Sequence, residues 1–335
     1  MADYPDWMKS VASKLTNLPL NRIPLPGSHD AGSYGGITTR SMTQGLSIAD
    51  QLKAGVRYFD FRFRIDNGEF FSHHGSDESR DNPYCHYKWN EEYEKKRNSI
   101  FYQVKAFCNL HPSEIVILNL YDFSSVWGQS FNYKDGQSLI HCINDCFGSL
   151  LIPRSASIPT YGSCISNKQQ VLVVNNDKGD NAPDIDVTDG NPAAVDGDEI
   201  PDATNAERKN IWKMSESLKE RFSNLGYATW TWKEMVDGTI EDQYKYLLKT
   251  TPDGRDLSRF WISQSILGYN NMNLVDDHSQ NFAGSNLINP LIIEEYKKWW
   301  NGEGGAQQPN ILLLDFSGIH GDFVPVCQGL LNGSF

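Results

Sequence analysis

The chain has 335 residues, of which 39% are hydrophobic and 21% are charged, and its formal net charge is −12. This acidic balance argues against nucleic acid as a partner and against simple electrostatic adhesion to anionic lipid. The apolar content is sufficient for a large core, and the length suits a barrel of alternating strands and helices.

No apolar stretch reaches the roughly 18 to 20 residues that a membrane-spanning helix needs. The N-terminus has neither the basic segment nor the apolar segment of a secretory signal. We therefore expect a cytoplasmic protein or the mature form of a secreted one, and the sequence does not choose between these compartments. The six cysteines are too dispersed for a disulfide framework.

Short apolar runs, each bounded by turn residues, predict seven buried strands with helical stretches between them. Strands that alternate with helices over this length predict an α/β fold, with a mostly parallel sheet and helices outside it. A proline near the first turn favours a helix start, and Pro290 has that place in the last predicted helix. The predicted strands are 22–26, 56–63, 69–72, 115–120, 171–175, 260–266 and 311–316, and the predicted helices are 44–54, 93–110, 240–249 and 289–300.

One segment, 177–207, is rich in Asp, Gly, Asn, Pro and Ala and has few large apolar residues. This composition predicts a long acidic surface loop inserted between two strands. The run 184–190 contains several carboxylates, but their spacing does not match a calcium-binding EF-hand loop. A solvated acidic loop is the favoured interpretation, and the sequence leaves open whether it binds a metal.

Two histidines lie in short motifs that suggest chemistry. His29 lies in GSHDAG (27–32), and His74 lies in SHHG (72–75); the apolar run VRYFDFRFR (56–64), which carries charges, separates them. Two imidazoles with a guanidinium between them can move protons on either side of a phosphate, because histidine titrates near pH 6.5. The neighbouring His73 points to the opposite strand face, so we expect a structural role for it.

These segments resemble a known family. The runs IPLPGSHDAG (23–32), QLKAGVRYFDFR (51–62) and HHG (73–75) resemble the catalytic X domain of phosphatidylinositol-specific phospholipase C, in the compact type found in bacterial enzymes and X-domain-containing proteins. The resemblance continues to the strand 311–315, so it implies one domain over 1–335. It implies a single distorted TIM-type (β/α) barrel, in which chemistry lies at the carboxyl ends of the strands. We therefore expect the candidate site residues to fall at or just beyond such ends: His29, Asp60, Arg62, His74 and Asp315.

The resemblance also implies roles for five residues. His29 is the general base that takes a proton from the inositol 2-hydroxyl, which then attacks the neighbouring phosphate. Arg62 stabilises the negative charge on the phosphate oxygens, and His74 gives a proton to the departing diacylglycerol oxygen. Asp315 orients His29, and Asp30 assists the acid step at His74. Such a phosphoric diester hydrolase or lyase yields diacylglycerol and a cyclic inositol phosphate.

The same stretch bears on metal dependence. In the calcium-dependent signalling enzymes of this superfamily, an Asn follows the first His and acidic residues occupy second-strand positions. Here Asp30 follows His29, and Arg62 stands where one acidic ligand would be. A guanidinium at that position would replace the charge of calcium, so we predict metal-independent catalysis with no cofactor.

Substrate binding departs from the bacterial pattern. Bacterial enzymes carry a Lys after the fourth strand and an Arg after the fifth, whereas Tyr121 and Asn176 stand there in this chain. Tyr121 can stack on a sugar ring or donate a hydrogen bond. Asp60 shares a strand face with Arg62, and the two either serve the substrate or form an ion pair that fills the barrel. The head group can be phosphatidylinositol, a glycosylated form or another one.

A lipid leaving group requires transient, peripheral contact with a membrane surface. With an acidic chain, we expect apolar side chains at the rim to make this contact, and Trp127 after the fourth strand is the candidate. The pair 299–300 is expected in the core. The sequence identifies no protein partner.

Alternatives of two kinds remain open, with and without a metal. One is a catalytically weak X-domain module that binds lipid or protein, or a phosphodiesterase for another phospholipid head group. The other is a metal-dependent barrel of the glycerophosphodiesterase or sphingomyelinase type. That barrel needs clustered Glu and Asp ligands, which Asp60 alone does not supply.

Overall fold

The computed structural model describes most of the barrel scaffold and leaves several connecting segments undescribed. The predicted helix 240–249 and most of the predicted acidic loop lie outside the described residues. The described residues are 3–34, 42–66, 69–73, 99–125, 133–175, 203–213, 260, 262–266, 278–301, 310–319 and 322–334.

Eight strands of the described chain form one curled, mainly parallel sheet, which confirms the predicted α/β barrel-like fold. Its order is β6-β5-β4-β2-β1-β8-β7, and β3 pairs antiparallel with β2. Within the described ranges no pairing joins β6 to β7. The strands are β1 Leu25–Ser28, β2 Tyr58–Asp66, β3 Glu69–Ser72, β4 Val116–Ser125, β5 Val171–Asn175, β6 Ile211–Lys213, β7 Ile262–Gln264 and β8 Ile311–Leu314.

Helices connect and cover these strands, and short 3₁₀ turns occur at Leu20–Arg22 and Gly148–Leu150. No helix among the described residues has both the length and the hydropathy that a membrane span requires. The helices are α1 Trp7–Ser10, α2 Ala12–Leu15, α3 Ile48–Lys53, α4 Ile100–Leu110, α5 Tyr133–Phe147, α6 Tyr161–Ser166, α7 Asn205–Arg208, α8 His278–Trp300 and α9 Val324–Asn332.

Continuous apolar runs explain the central strands. Every residue of β5 and of β8 is buried, as expected for parallel strands covered on both faces. Successive residues of β2 and β4 join different core clusters. Tyr58 and Ile117 belong to one cluster, and Phe59 and Leu118 belong to the other. This alternation shows that the two clusters lie on opposite faces of the sheet.

Strand β2 runs further than its neighbour β1, which changes the expected place of two charged residues. The pairing of β1 with β2 ends at Ser28 and Phe59, and β3 then pairs with β2 from Phe63 onward. The prediction that Asp60 and Arg62 fall at the end of a strand is therefore wrong. They lie in the middle of β2, because β2 continues beyond the end of β1 and pairs there with β3. Along the sheet, they still lie next to the end of β1.

The helix before the last strand begins at His278, so the prediction of Pro290 near its first turn is wrong. A proline inside a helix removes one backbone hydrogen bond. Burial on either side of it stabilises the helix, since Ile288 and Ile292 are almost fully buried in the core. At the end of this helix, Trp300 packs against the core as expected, whereas the side chain of residue 299 is not described.

Strand β6 was not predicted, because three residues are too short to show a period. The predicted acidic loop also ends earlier than expected. Ala203 is buried, and Thr204 and Glu207 form a reciprocal capping box at the start of α7. The loop prediction therefore fails from 203 onward. The five cysteines that the structure describes are all buried, and none of them forms a disulfide with another described residue.

Candidate active site

The first imidazole lies where two parallel strands end together. His29 directly follows β1, Asp315 directly follows β8, and these strands are neighbours in the sheet. The His29 Nδ1 atom lies 2.8 Å from Asp315 Oδ1, and both residues are buried. Residues 286 positions apart in the chain thus form the imidazole–carboxylate pair that the resemblance implies.

A second carboxylate faces the other side of the same ring. The His29 Nε2 atom lies 3.3 Å from Asp30 Oδ2, and the Asp30 side chain is completely buried. Burial alone would lower the pKa of His29. The negative charges of Asp30 and Asp315, the hydrogen bond that the ring donates to Asp315 and the charge of Asp60 outweigh burial and raise that pKa to about 9. The surrounding carboxylates therefore favour the protonated form of His29.

The turn that carries these residues has an unusual backbone. Asp30 has φ of +40°, in the left-handed region that Asp tolerates better than most residues. The backbone N–H of Ala31 donates to the carbonyl of Asp60 at 2.7 Å, and the Thr43 hydroxyl donates to the carbonyl of Asp30 at 3.0 Å. Gly32 has no room for a side chain, because a Cβ there would collide with Ser72. Contacts with two strands and a loop thus hold the turn.

A buried amide that the sequence analysis missed ties this turn to β8. The Gln44 Nε2 group donates to the His29 carbonyl at 2.8 Å and to the Leu314 carbonyl at 3.1 Å. Its Oε1 atom accepts from the backbone N–H of Ser317 at 3.0 Å. Gln44 therefore fixes the separation of the two strand ends that carry His29 and Asp315. No sequence motif marked it.

Arg62 and Tyr121 complete the network around Asp30. They are register partners on the neighbouring parallel strands β2 and β4. The Arg62 Nε group lies 3.0 Å from Asp30 Oδ1 and 2.9 Å from the Tyr121 hydroxyl oxygen. The Tyr121 hydroxyl donates to the same Asp30 oxygen at 2.8 Å. Arg62, predicted to bind phosphate, is thus held beside the carboxylate that faces His29.

Two residues before this pair along both strands, Asp60 lies opposite Asn119. The Asn119 amide donates to Asp60 Oδ1 at 2.8 Å, and both side chains are buried. The sequence analysis missed Asn119, although it precedes Tyr121 by two residues as Asp60 precedes Arg62. That shared spacing of polar residues in two apolar strands is the signal that could have found it.

A third residue that was not predicted, Asn289, supports Asp315. The buried amide of Asn289 on α8 donates to the Asp315 carbonyl at 2.8 Å. Asn289 directly precedes Pro290, so the interior of this helix, rather than its start, contacts the site. Helix α8 therefore helps to fix the carboxylate that bonds His29.

The structure brings most of the predicted site together. His74, Asn176 and Trp127 lie outside the described residues, so their predicted roles stay predictions. The neighbouring His73 is buried, and its backbone N–H donates to the Arg62 carbonyl at 3.1 Å. The site residues that the structure gathers are His29, Asp30, Asp60, Arg62, Tyr121 and Asp315.

Three groups of this site are close enough to share a cation. His29, Asp30 and Asp60 each offer one atom, and these atoms lie within 4.8 Å of one another. A positive charge from the protein already lies beside them, since the Arg62 guanidinium contacts Asp30. The arrangement therefore combines imidazole, carboxylates and a guanidinium in one largely buried cluster, a set suited to proton transfer next to a phosphate.

Comparisons with known proteins show which sequences and folds this chain is similar to. No family model matches the chain. Among curated proteins, PI-PLC X domain-containing protein 1 of Mus musculus is 26% identical over 201 residues, which cover 52% of this chain and 53% of the relative. PI-PLC X domain-containing protein 2 of the same species is 29% identical over 199 residues, 50% of this chain and 52% of the relative. The match thus spans about half of each relative.

Solved structures extend the likeness to the whole fold. A mutant of phosphatidylinositol-specific phospholipase C from Staphylococcus aureus superposes with a TM-score of 0.58 at 16% identity and covers 96% of this chain and 98% of its own. The enzyme of the same description from Listeria monocytogenes gives 0.58 at 17% identity, over 99% and 98%. The chain is therefore similar in sequence to PI-PLC X domain-containing proteins and in fold to bacterial phosphatidylinositol-specific phospholipases C.

Proposed function

We propose that this chain is a phosphodiesterase that cleaves phosphatidylinositol-type lipids by intramolecular attack of the inositol 2-hydroxyl. The observation that carries the proposal is the 2.8 Å contact of His29 with Asp315, beside Asp30 and Arg62, at the carboxyl ends of the barrel strands. Active sites of barrels of this kind lie at that end. The fold neighbours and the curated relatives support the same class of chemistry.

In this mechanism the neutral form of His29 takes the proton of the 2-hydroxyl, while Asp315 holds the ring through Nδ1. The 2-oxygen forms a bond to phosphorus, and the bond from phosphorus to the diacylglycerol oxygen breaks. Arg62 stabilises the charge that grows on the phosphate oxygens. His74 supplies the proton that the leaving oxygen needs. The products are diacylglycerol and a cyclic inositol phosphate.

The guanidinium also supports metal independence. Arg62 contacts Asp30 and holds a permanent positive charge there, so no divalent cation is needed to neutralise the phosphate at that point. We expect excess chelator to leave turnover unchanged. A large loss of turnover that calcium restores would contradict this assignment and would return His29, Asp30 and Asp60 to consideration as a cation site.

The test of the reaction is phosphorus NMR of the product formed from phosphatidylinositol vesicles. A cyclic phosphate signal is expected, and its absence at high enzyme concentration would contradict the proposal. His29→Ala and His74→Ala should each lower turnover by about 10²- to 10⁴-fold and keep the fold. The matched control is His141→Ala, because His141 pairs with Glu207 at 2.9 Å outside the site. It should keep its turnover.

One observation favours a second candidate, a catalytically weak module that binds lipid. The pKa of His29 is raised to about 9, whereas a general base must be neutral to accept a proton. At pH 7 the neutral form is then roughly 1% of the population. Vesicle binding in a sedimentation assay without any cyclic product between pH 7 and pH 9.5 would favour this candidate over the enzyme.

A further inference from the structure

Tyr121 stands where the sequence pattern of bacterial enzymes led us to expect a residue that contacts the head group. Its hydroxyl group is directed into the protein. The single O–H bond donates to Asp30 Oδ1 at 2.8 Å, and the oxygen accepts from Arg62 Nε at 2.9 Å. A phenol used in this way has no proton to donate to a sugar. The predicted hydrogen bond from the Tyr121 hydroxyl to the substrate is therefore not available in this arrangement.

The position of Asp30 depends on this hydroxyl. Asp30 Oδ1 accepts a hydrogen bond from the Tyr121 hydroxyl and contacts the Arg62 guanidinium. The other oxygen, Oδ2, faces His29 Nε2 at 3.3 Å. An arginine beside a carboxylate tends to bind both of its oxygens with a fork of two N–H groups. Here the tyrosine hydroxyl and the guanidinium nitrogen Nε both contact Oδ1. The second oxygen is then directed to the imidazole.

Burial and neighbouring carboxylates keep the hydroxyl in its donating form. Burial and the negative charges of Asp30 and Asp60 raise the pKa of Tyr121 well above its ordinary value. The ring also lies under the guanidinium, with Arg62 Cζ 5.5 Å from its centroid. Removing the hydroxyl but keeping the ring therefore leaves the packing of Arg62 in place.

We propose that Tyr121 is a positioning residue, whose hydroxyl holds the Asp30 carboxylate between Arg62 and His29. It thereby keeps the negative charge of Asp30 next to the His29 imidazole, in addition to that of Asp315. This inference concerns the same site as the proposed function and rests on it for the effect on turnover. The charged groups that face His29 from the adjoining elements are Asp30, Asp315 and Asp60. Tyr121 acts on the first of these.

The test is an NMR titration of the His29 ring in the full chain with Tyr121→Phe. Without the hydroxyl, Arg62 is expected to bind both oxygens of Asp30 and draw Oδ2 away from the imidazole. The pKa of His29 should then fall by about one unit, because a nearby negative charge is lost. An unchanged pKa would overturn the proposal. Tyr161→Phe is the matched control, since Tyr161 donates to the Ser113 carbonyl away from the site, and it should leave His29 unchanged.

A second pair of variants tests the route. Asp30→Asn should lower the pKa of His29, and Asp30→Asn combined with Tyr121→Phe should lower it no further, since Tyr121 acts through Asp30. An additional fall in the double variant would overturn the proposal. Should Tyr121→Phe fold poorly, Tyr121→Met removes the same hydroxyl and serves in its place.

Kinetics separate positioning from substrate contact. With phosphatidylinositol vesicles, Tyr121→Phe should move the acid limb of the pH profile down by the same one unit. On the plateau above this limb it should lower kcat with KM nearly unchanged, because His29 becomes a weaker base. A raised KM with unchanged kcat would overturn the proposal in favour of a head-group contact. If the wild-type chain gives no turnover, the proposed function fails, and the NMR titration still decides the role of Tyr121.

Discussion

Two arginines five residues apart, Arg57 and Arg62, show how one chain uses the same charge in two ways. Arg57 lies just before β2, is fully buried and pairs with the fully buried Glu114 at 2.8 Å. Its other N–H groups donate to the backbone carbonyls of Leu52, Val56, Tyr4 and Pro5. The protein thus uses all the donors of this guanidinium.

Arg62 lies within β2, and 18% of its side chain is exposed. The partners described above are side chains, Asp30 and Tyr121, rather than fixed backbone carbonyls. Glu114, by contrast, also accepts from the backbone N–H groups of Met8 and Lys9 and so ties the first helix to the sheet. The comparison indicates that the arginine enclosed by backbone stabilises the fold. The one held by side chains, which stays partly exposed, is the arginine that we propose binds the phosphate.

Breaking the buried pair should give the largest effect. Arg57→Met leaves Glu114 buried without its cation, so we expect the free energy of unfolding to fall by about 3 to 5 kcal/mol. A urea titration followed by circular dichroism measures this loss. The exposed Lys14→Met is the matched control and should change stability by no more than about 0.5 kcal/mol. Equal stability of the Arg57 and Lys14 variants would contradict the structural role of Arg57.

Arg62→Lys should do the opposite of Arg57→Met and lower turnover while leaving stability nearly unchanged. Lysine keeps the charge beside Asp30 but lacks the planar fork, so we expect turnover of phosphatidylinositol to fall by about 10²- to 10³-fold. Unfolding in urea should stay close to the wild type, because Tyr121 still donates to Asp30. A variant that unfolds as readily as Arg57→Met and keeps its turnover would reverse the comparison.

The smallest effect concerns the protonation of His29. Asp315→Asn removes one of the two negative charges next to the ring, so the pKa of His29 should fall from about 9 by about one unit. The higher the pKa of His29, the higher the pH at which its neutral, proton-accepting form becomes populated. The rise of kcat/KM with pH should therefore centre near 9 in the wild type and lower in the variant.

An NMR titration of the ring checks the same shift without any need for turnover. The control is Asp322→Asn, because Asp322 accepts from the Tyr4 hydroxyl and lies away from the site. An identical His29 titration in wild type and Asp315→Asn would show that Asp315 does not contribute to the pKa.

The sequence located the strands better than the helices. Val171–Asn175 and Glu69–Ser72 were predicted with the observed bounds, because apolar runs flanked by turn residues identify buried strands well. The start of α8 was missed by eleven residues, since Pro290 was taken as a sign of a first turn. Tertiary burial around the proline, which no local pattern shows, allows the helix to continue through it.

For the site, the ordered motifs in the sequence were enough to name His29, Asp30, Asp60, Arg62 and Asp315 and to expect an α/β barrel. Residues such as Gln44, Asn119 and Asn289 emerged only in the folded chain. Motifs are local, and a residue type with unusual chemistry is visible in them wherever the chain folds. The partner of each such residue depends on which strands become neighbours.

The register of β2 against β4 illustrates the physical reason. Arg62 and Tyr121 are 59 residues apart and meet because two parallel strands pair in one particular alignment. A shift by one residue would turn every side chain to the other face. The sequence by itself therefore determined which groups are available for proton transfer and phosphate binding. Only the tertiary structure decided that Asp30 stands between an imidazole and a guanidinium, and that His29 carries a raised pKa, since both depend on long-range pairing and burial.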